Sequence, residues 1–194
     1  MKKILIHIMG FTFLLAGELE IGSTMPLKDL ELADISGKNI TLANAKGDAG
    51  TLVVFSCNTC PWVIRWEDRY VSLANTYAQK GIGMIAVNSN AARFGGEDSL
   101  EEMLEHAKNN GYNFPYAQDP ESELASAFGA TKTPHIYLFN GDDKLVYRGA
   151  IDDNAKNAKK VDVPFLANAI DALLAGNPIN PQTTKALGCS IKFK

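Results

Sequence analysis

The sequence is poor in the features that mark several large classes of protein. Only three of its 194 residues are cysteine, which excludes a scaffold held together by many disulfides. Its 19 basic and 22 acidic residues give a net charge of −3 and form no basic run, so binding to nucleic acid or to an anionic membrane surface is not predicted. Internal repeats and low-complexity segments are lacking as well. What is present is the composition of one globular domain, with 46% hydrophobic residues to build its core.

One apolar stretch stands out, at the start of the chain. Lys2 and Lys3 precede a mostly apolar run from residue 4 to residue 16, which is the layout of a secretory signal. The run is too short to span a bilayer comfortably, so a permanent membrane anchor is not predicted. We therefore expect residues 1–17 to be a signal peptide and residues 18–194 to be an exported domain, periplasmic if the source is a Gram-negative bacterium. The alternative is a cytoplasmic protein in which this run is a buried first strand or helix.

The rest of the chain alternates between short apolar runs and amphipathic stretches. A Ser-Gly turn within residues 34–42 predicts a hairpin, and the β-branched run 51–55 predicts a strand buried on both faces. Further strands are predicted at 82–87, 114–118, 135–139 and 144–148, and helices at 61–80, 99–110, 121–128 and 164–175. This order predicts an α/β fold with a central mixed β-sheet flanked by helices and an N-terminal β-hairpin extension.

The residues best suited to chemistry are Cys57 and Cys60, in the sequence Cys-Asn-Thr-Cys. The strand at 51–55 delivers Cys57 to the edge of the sheet, where a helix is expected to begin. Residues three apart share one face of a helix, so the two sulfurs can approach bonding distance. Amide donors and the positive end of the helix dipole favour the Cys57 thiolate, the form that attacks disulfides. Cys57 is therefore predicted to attack and Cys60 to resolve the mixed disulfide.

Two other interpretations of this pair remain open. One is a structural disulfide, although so short a loop gains little stability from the cross-link. The other is half of a zinc site, since cysteines at this spacing also bind zinc. The remaining candidates for zinc ligands are Cys189, His7, His106 and His135. They form no second paired motif, so no metal is predicted.

A second motif, Thr133-Pro134, stands directly before the predicted strand 135–139. Proline cannot donate a backbone hydrogen bond to a sheet, so we expect Pro134 at the start of that strand. Only about 5 to 6% of X-Pro bonds in folded proteins are cis. The residues alone therefore predict a trans bond here.

These features together resemble the thioredoxin-fold superfamily, and more closely a peroxiredoxin-like branch of the AhpC/TSA redoxins that carries a CxxC motif. The stretches that carry the resemblance are Cys57-Asn-Thr-Cys-Pro-Trp-Val63, Val87-Asn-Ser-Asn90, Phe114-Pro-Tyr116, Gly129-Ala-Thr-Lys-Thr-Pro134, Leu145-Val-Tyr-Arg-Gly-Ala-Ile-Asp-Asp-Asn154 and Gly188-Cys-Ser-Ile-Lys192. They are spread over nearly all of the chain after its apolar start.

The resemblance implies a thioredoxin-like fold in which Pro134 is cis and packs beside the reactive disulfide, while the backbone of Thr133 binds an extended substrate. It implies a thiol-disulfide oxidoreductase that acts on a protein or small-thiol partner with an external reductant or oxidant. No cofactor is implied beyond the Cys57–Cys60 disulfide. Two alternatives are a thiol-dependent peroxidase, in which Cys60 is peroxidatic and Cys57 resolves it, and a non-catalytic binding module of the same fold.

The sequence departs from these relatives at three points. Thioredoxin has Gly-Pro between its cysteines, whereas Asn58-Thr59 stands here, so its partners and reduction potential do not transfer. No acid within 51–55 matches the buried acid of thioredoxin, so the sequence names no base for the resolving thiol. Peroxiredoxins place a proline seven residues, and a threonine or serine three residues, before the peroxidatic cysteine. Neither Cys57 nor Cys60 has both residues at those distances.

Two further residues, Trp62 and Cys189, each have more than one possible role. Trp62, next to the CxxC motif, either packs in the core or forms part of an apolar surface that docks a partner. Cys189 lies far along the chain from the pair and is either a buried free thiol or a second resolving or intermolecular cysteine. The direction of exchange and the oligomeric state are not predicted by the sequence.

Overall fold

The computed structural model describes residues 17–194, so the predicted signal peptide lies outside the described residues except for Gly17, and export stays a prediction. The elements in chain order are β1 (Leu32–Asp34), β2 (Asn39–Ile40), β3 (Gly50–Ser56), α1 (Pro61–Tyr77), β4 (Ile82–Asn88), α2 (Leu100–Asn109), β5 (Tyr116–Gln118), α3 (Glu123–Phe128), β6 (Lys132–Thr133), β7 (His135–Asn140), β8 (Leu145–Gly149), α4 (Phe165–Leu174) and β9 (Cys189–Ser190). None of the helices in this part of the chain is long and apolar enough to cross a membrane.

Seven of the strands form one mixed sheet, in the order β2-β1-β5-β4-β3-β7-β8. β3 pairs parallel with β4 and antiparallel with β7. The predicted N-terminal hairpin is β1 and β2, and it extends the sheet because β1 also pairs antiparallel with β5. β6 and β9 form a separate two-stranded sheet. The predicted central mixed sheet with flanking helices is confirmed.

β3 is buried on both faces because its successive side chains point into two different clusters. Leu52 and Val54 belong to a cluster that also holds the inner faces of α1 and α4. Val53 and Phe55 belong to a second cluster on the other face of the sheet, which α3 helps to cover. Every residue of β3 is buried. The strand that leads into Cys57 is therefore held rigidly between two layers of side chains.

α1 begins at residue 61, as predicted, but this start leaves Cys57 outside the helix. Pro61 occupies the first turn, where a missing N–H costs nothing, and Cys60 is the N-cap. The helix buries Val63, Trp66 and other apolar residues at helical spacing on its inner face. Both cysteines thus precede the helix, and the prediction that Cys57 begins it is wrong. Because the helix starts at Pro61, its free amides lie next to the second cysteine and not the first.

The C-terminal segment holds a strand that the sequence did not predict. Residues 182–192, called the C-terminal strap below, first run beside β8: the Arg148 amide donates to Gln182 O at 3.0 Å, and the Thr184 amide donates to Arg148 O at 3.0 Å. The strap then forms β9, which pairs antiparallel with β6. Its backbone next joins the loop after β4, where the Ala92 amide donates to Lys192 O at 3.0 Å. The strap therefore crosses the end of the molecule that carries the two motifs.

Candidate active site

Cys57 and Cys60 lie in the loop that joins β3 to α1. Both are free thiols in this structure, and both are buried, with 2% and 3% of their surface exposed. They line a cavity of about 140 Å³ together with Thr133, Cys189 and other residues. The two cysteines of the CxxC motif are thus brought to one small site, as the sequence predicts.

Thr133 and Pro134 face the two thiols. The Thr133-Pro134 bond is cis, as the resemblance implies and against the expectation from the residues alone. The Thr133 hydroxyl lies 3.3 Å from Cys57 Sγ, and the Cys60 thiol donates to the Thr133 carbonyl at 3.0 Å. The backbone of Thr133 is already paired, because it lies opposite Cys189 in the β6–β9 ladder. The edge expected to bind an extended substrate is therefore covered by the strap.

Cys189 is the site residue that sequence reasoning placed least well. Its sulfur lies 2.7 Å from Cys60 Sγ, although 129 positions separate the two residues. Cys189 is partly exposed, so it is not the buried free thiol that the sequence allows. Its signal in the sequence is the alternation of Cys189 and Ile191 with polar neighbours, which is the period of a strand. The site thus contains three cysteines rather than two.

Trp62 stands beside the thiols on the first turn of α1. It is partly buried and packs against the core, with its ring centroid 5.9 Å from that of Trp66. The Arg65 guanidinium lies over the same ring at 5.3 Å from its centroid, an arrangement favoured by the ring quadrupole. Core packing accounts for these contacts, and the partner-docking role of Trp62 stays a prediction.

The surroundings of the three thiols shift their pKa values in different directions. A hydrogen bond from Cys57 lowers the pKa of Cys60 to about 4, with further help from the thiol and backbone amide of Cys189 and from the Val63 amide, which together outweigh burial. The same hydrogen bond to Cys60, followed by burial, raises the pKa of Cys57. Burial, and then Cys60, raise the pKa of Cys189 to about 11. The surroundings thus favour the Cys60 thiolate over the Cys57 thiolate, opposite to the expectation from the motif, and the interaction between the two thiols is the main cause.

This charge distribution predicts a thiolate in the reduced protein at neutral pH. A group with a pKa of about 4 is ionised well below neutrality, so the ultraviolet absorbance of a thiolate should persist on acidification until the pH approaches 4. The Cys60→Ser variant is the matched control and should lack this acid-stable absorbance. An absorbance that appears only as the pH approaches 9, the ordinary pKa of a thiol, would contradict the assignment.

A buried carboxylate holds the loop between the two cysteines, and sequence reasoning missed it. Asp98 is fully buried, and its carboxylate accepts from the Asn58 amide at 3.0 Å. It also accepts from the side chains of Asn88 and Asn90, at 2.8 and 2.9 Å. Tyr116 completes the network by donating its hydroxyl to Asn58 Oδ1 at 3.0 Å. These bonds satisfy the polar groups of the motif and fix its conformation.

Two of the three histidines considered as zinc ligands, His106 and His135, have other contacts, and His7 lies outside the described residues. His106 Nε2 lies 2.8 Å from Glu67 Oε2, and the His135 ring packs against Tyr137 at 4.6 Å between centroids. Burial lowers the pKa of His135 to about 4, so its ring is neutral near pH 7. Among residues 17–194, no group of three histidine, cysteine or acidic side chains has the geometry to hold a metal ion.

A central mixed sheet flanked by helices, with two thiols after one strand facing a cis-proline before another, defines a protein of the thioredoxin-like fold. The Redoxin family model matches residues 20–166 of the chain. The chain belongs to this family, which confirms the predicted redoxin membership and makes the protein a redoxin-family oxidoreductase.

Three relatives place the chain within this fold. It is similar to an uncharacterized conserved protein from Geobacillus kaustophilus, with 39% identity, 90% of this chain and 93% of that chain covered, and a TM-score of 0.83. It is 25% identical over 149 residues to the thiol-disulfide oxidoreductase ResA of Bacillus subtilis, covering 74% of this chain and 77% of ResA. A putative thiol:disulfide interchange protein DsbE from Chlorobium tepidum shares the fold, with 19% identity, a TM-score of 0.63, and 81% of this chain and 99% of that chain covered.

Proposed function

We propose that the protein is a thiol-disulfide oxidoreductase that exchanges disulfides through Cys57 and Cys60. The observation that carries the proposal is the pair of buried thiols that both contact Thr133, beside the cis-proline Pro134. A thiolate is the species that reacts with a disulfide, and the surroundings of Cys60 lower its pKa to about 4. The name of the relative ResA agrees with this reaction.

In the first step, Cys57 attacks one sulfur of a substrate disulfide. The substrate S–S bond breaks, a mixed disulfide forms at Cys57, and the other half of the substrate leaves as a thiolate. The Cys57 thiol gives up its proton to water as it attacks. We assign the attack on substrate to Cys57 because the Cys60 sulfur is already in contact with Cys189 Sγ and the Thr133 carbonyl. Because its own pKa is lowered to about 4, Cys60 needs no strong base to ionise for the resolving step.

In the second step, the Cys60 thiolate attacks the Cys57 sulfur of the mixed disulfide. The Cys57–Cys60 disulfide forms, and the second half of the substrate leaves as a thiolate. The amides of Val63 and Cys189 still favour the Cys60 thiolate at this stage. An external dithiol then returns the pair to its reduced form, so two electrons pass from that reductant to the substrate.

Insulin reduction in the presence of dithiothreitol tests this function. The protein should accelerate the precipitation of insulin chains well above the rate with dithiothreitol alone. A rate equal to that background would overturn the proposal and leave the non-catalytic binding module as the better interpretation.

A thiol-dependent peroxidase is the second candidate, because the low pKa of Cys60 also suits a peroxidatic cysteine. Consumption of hydrogen peroxide by the prereduced protein tests it. Rapid consumption without insulin reduction would replace disulfide exchange by peroxide reduction, with Cys60 attacking and Cys57 resolving.

A further inference from the structure

The C-terminal strap is fastened on both sides of Cys189. Before Cys189, residues 182–184 are hydrogen bonded to the edge of β8. After it, Ile191 is buried, with 5% of its surface exposed, and its amide donates to Thr131 O at 3.0 Å. The Lys192 amide donates to Asn90 Oδ1 at 2.8 Å. Cys189 is therefore held against the site by backbone bonds on either side.

The strap is also shaped to lie directly against the cis-proline motif. Gly188 packs so closely on the backbone of Thr133 that a β-carbon at this position would overlap the Thr133 carbonyl. Glycine is therefore required for β9 to reach β6. The next residue, Cys189, lies opposite Thr133 in the ladder, which aims its side chain at the two motif thiols.

The sulfur of Cys60 stands between the other two. It contacts Cys189 Sγ at 2.7 Å, and both it and Cys57 Sγ contact Thr133. A thiol that attacks a disulfide must reach one of its sulfurs, and Cys189 already touches the Cys60 sulfur. Cys189 is also the most exposed of the three cysteines.

From these contacts we propose that Cys189 is a third redox-active cysteine. It attacks the Cys60 sulfur of the Cys57–Cys60 disulfide and forms a Cys60–Cys189 disulfide. This inference rests on the proposed function, because exchange through Cys57 and Cys60 supplies the starting disulfide. The Cys189 thiol loses its proton to solvent and attacks Cys60, the bond between Cys57 and Cys60 breaks, and the electron pair leaves on Cys57, which takes up a proton. No external oxidant is consumed, since one disulfide replaces another.

The exchange has two consequences for the site. Cys57 regains a free thiol while the protein stays oxidised. The strap, which already covers the Thr133 edge by hydrogen bonds, becomes covalently fixed there, so it cannot move away for an extended substrate until the Cys60–Cys189 bond is reduced.

Peptide mapping can separate the two disulfides. Trypsin cuts after Lys46 and Arg65, which places both motif cysteines on the single peptide 47–65. It also cuts after Lys185 and Lys192, which places Cys189 on peptide 186–192. A Cys57–Cys60 disulfide therefore stays within one peptide, whereas a Cys60–Cys189 disulfide joins two peptides.

The experiment maps the full-length protein after oxidation with oxidised glutathione, alkylation and digestion without reductant. We expect the linked pair of peptides in the wild type, and a much larger share of it in Cys57→Ser, where Cys60 has no other intramolecular partner. In Cys57→Ser/Cys189→Ser the linked pair should vanish and Cys60 should instead carry glutathione. Gln182→Ala, an exposed change at the start of the strap, should leave the wild-type pattern intact.

Each outcome either supports or overturns the inference. Recovery of Cys60 and Cys189 as free thiols, or as separate glutathione adducts, in Cys57→Ser would overturn it, as would absence of the linked peptides from the oxidised wild type. Failure of the proposed function has a different signature: the linked peptides would form while insulin is not reduced. Insulin reduction without linked peptides would leave the function standing and remove Cys189 from it.

Discussion

Replacing Cys57 by serine is expected to reduce the rate of insulin reduction to the background of dithiothreitol alone. Serine cannot form a disulfide, and its hydroxyl does not ionise near neutral pH, so no mixed disulfide with substrate can form at this position. Cys60→Ser should lower turnover just as far, but for a different reason. In that variant Cys57 can still attack, because the hydrogen bond to Cys60 that most raises its pKa has gone, while the thiol that releases the substrate is missing.

The two variants are therefore distinguished by what they trap. Cys60→Ser should be recovered with substrate covalently bound through Cys57, whereas Cys57→Ser should not. Non-reducing electrophoresis of each variant after mixing with insulin shows this directly, and Gln182→Ala, an exposed change, should trap nothing and keep wild-type turnover. If substrate accumulates on Cys57→Ser instead, the order of attack is reversed and Cys60 meets the substrate first.

Removing the Asp98 carboxylate is expected to cause the largest loss of stability among changes near the site. In Asp98→Ala the Asn58 amide and the side-chain amides of Asn88 and Asn90 lose a buried acceptor. A buried donor without a partner costs on the order of 1 to 3 kcal/mol, so the free energy of unfolding should fall by about 3 kcal/mol or more. Urea denaturation of the reduced protein measures this loss, and insulin reduction should fall with it because Asn58 belongs to the motif.

Asp98→Asn separates the charge of this residue from its shape. The variant keeps one acceptor oxygen and the same volume, so it should lose less stability than Asp98→Ala. It also removes a negative charge that contributes to raising the pKa of Cys57, so that pKa should fall. Glu97→Gln is the control: its side chain is exposed and its loss should change stability by no more than about 0.5 kcal/mol. An Asp98→Ala protein as stable as this control would contradict the role given to the carboxylate.

The hydrophobic pattern of the chain predicts most of the main sheet and its helices. Runs such as 51–55 and 82–87 are strongly apolar and continuous, so they predict strands without any knowledge of the rest of the fold. The strand Cys189–Ser190 is too short to carry such a pattern, and it forms because Gly188 lets the strap approach Thr133. That contact joins residues far apart in the chain, and no local pattern encodes it.

The features of the site are likewise of two kinds: some belong to local motifs, and others depend on contacts between distant parts of the chain. Cys57, Cys60, Thr133 and Pro134 are found from spacing and resemblance, since each belongs to a local motif. The lowered pKa of Cys60 depends first on Cys57 and then on Cys189, which lies 129 positions away and which no local pattern places beside it. Asp98 lies 40 positions from Asn58, within a loop whose composition suggests only exposure to solvent.

The course of the strap along β8 has a consequence for how the protein behaves in solution. An open sheet offers unpaired amides and carbonyls at its two outer strands, and these can recruit strands from other molecules. At one border, β2 is only two residues long. At the other, the strap pairs with Arg148 and shields part of β8. A chain shortened at its C-terminus would therefore lose more than Cys189, because it would expose a border along which copies could aggregate.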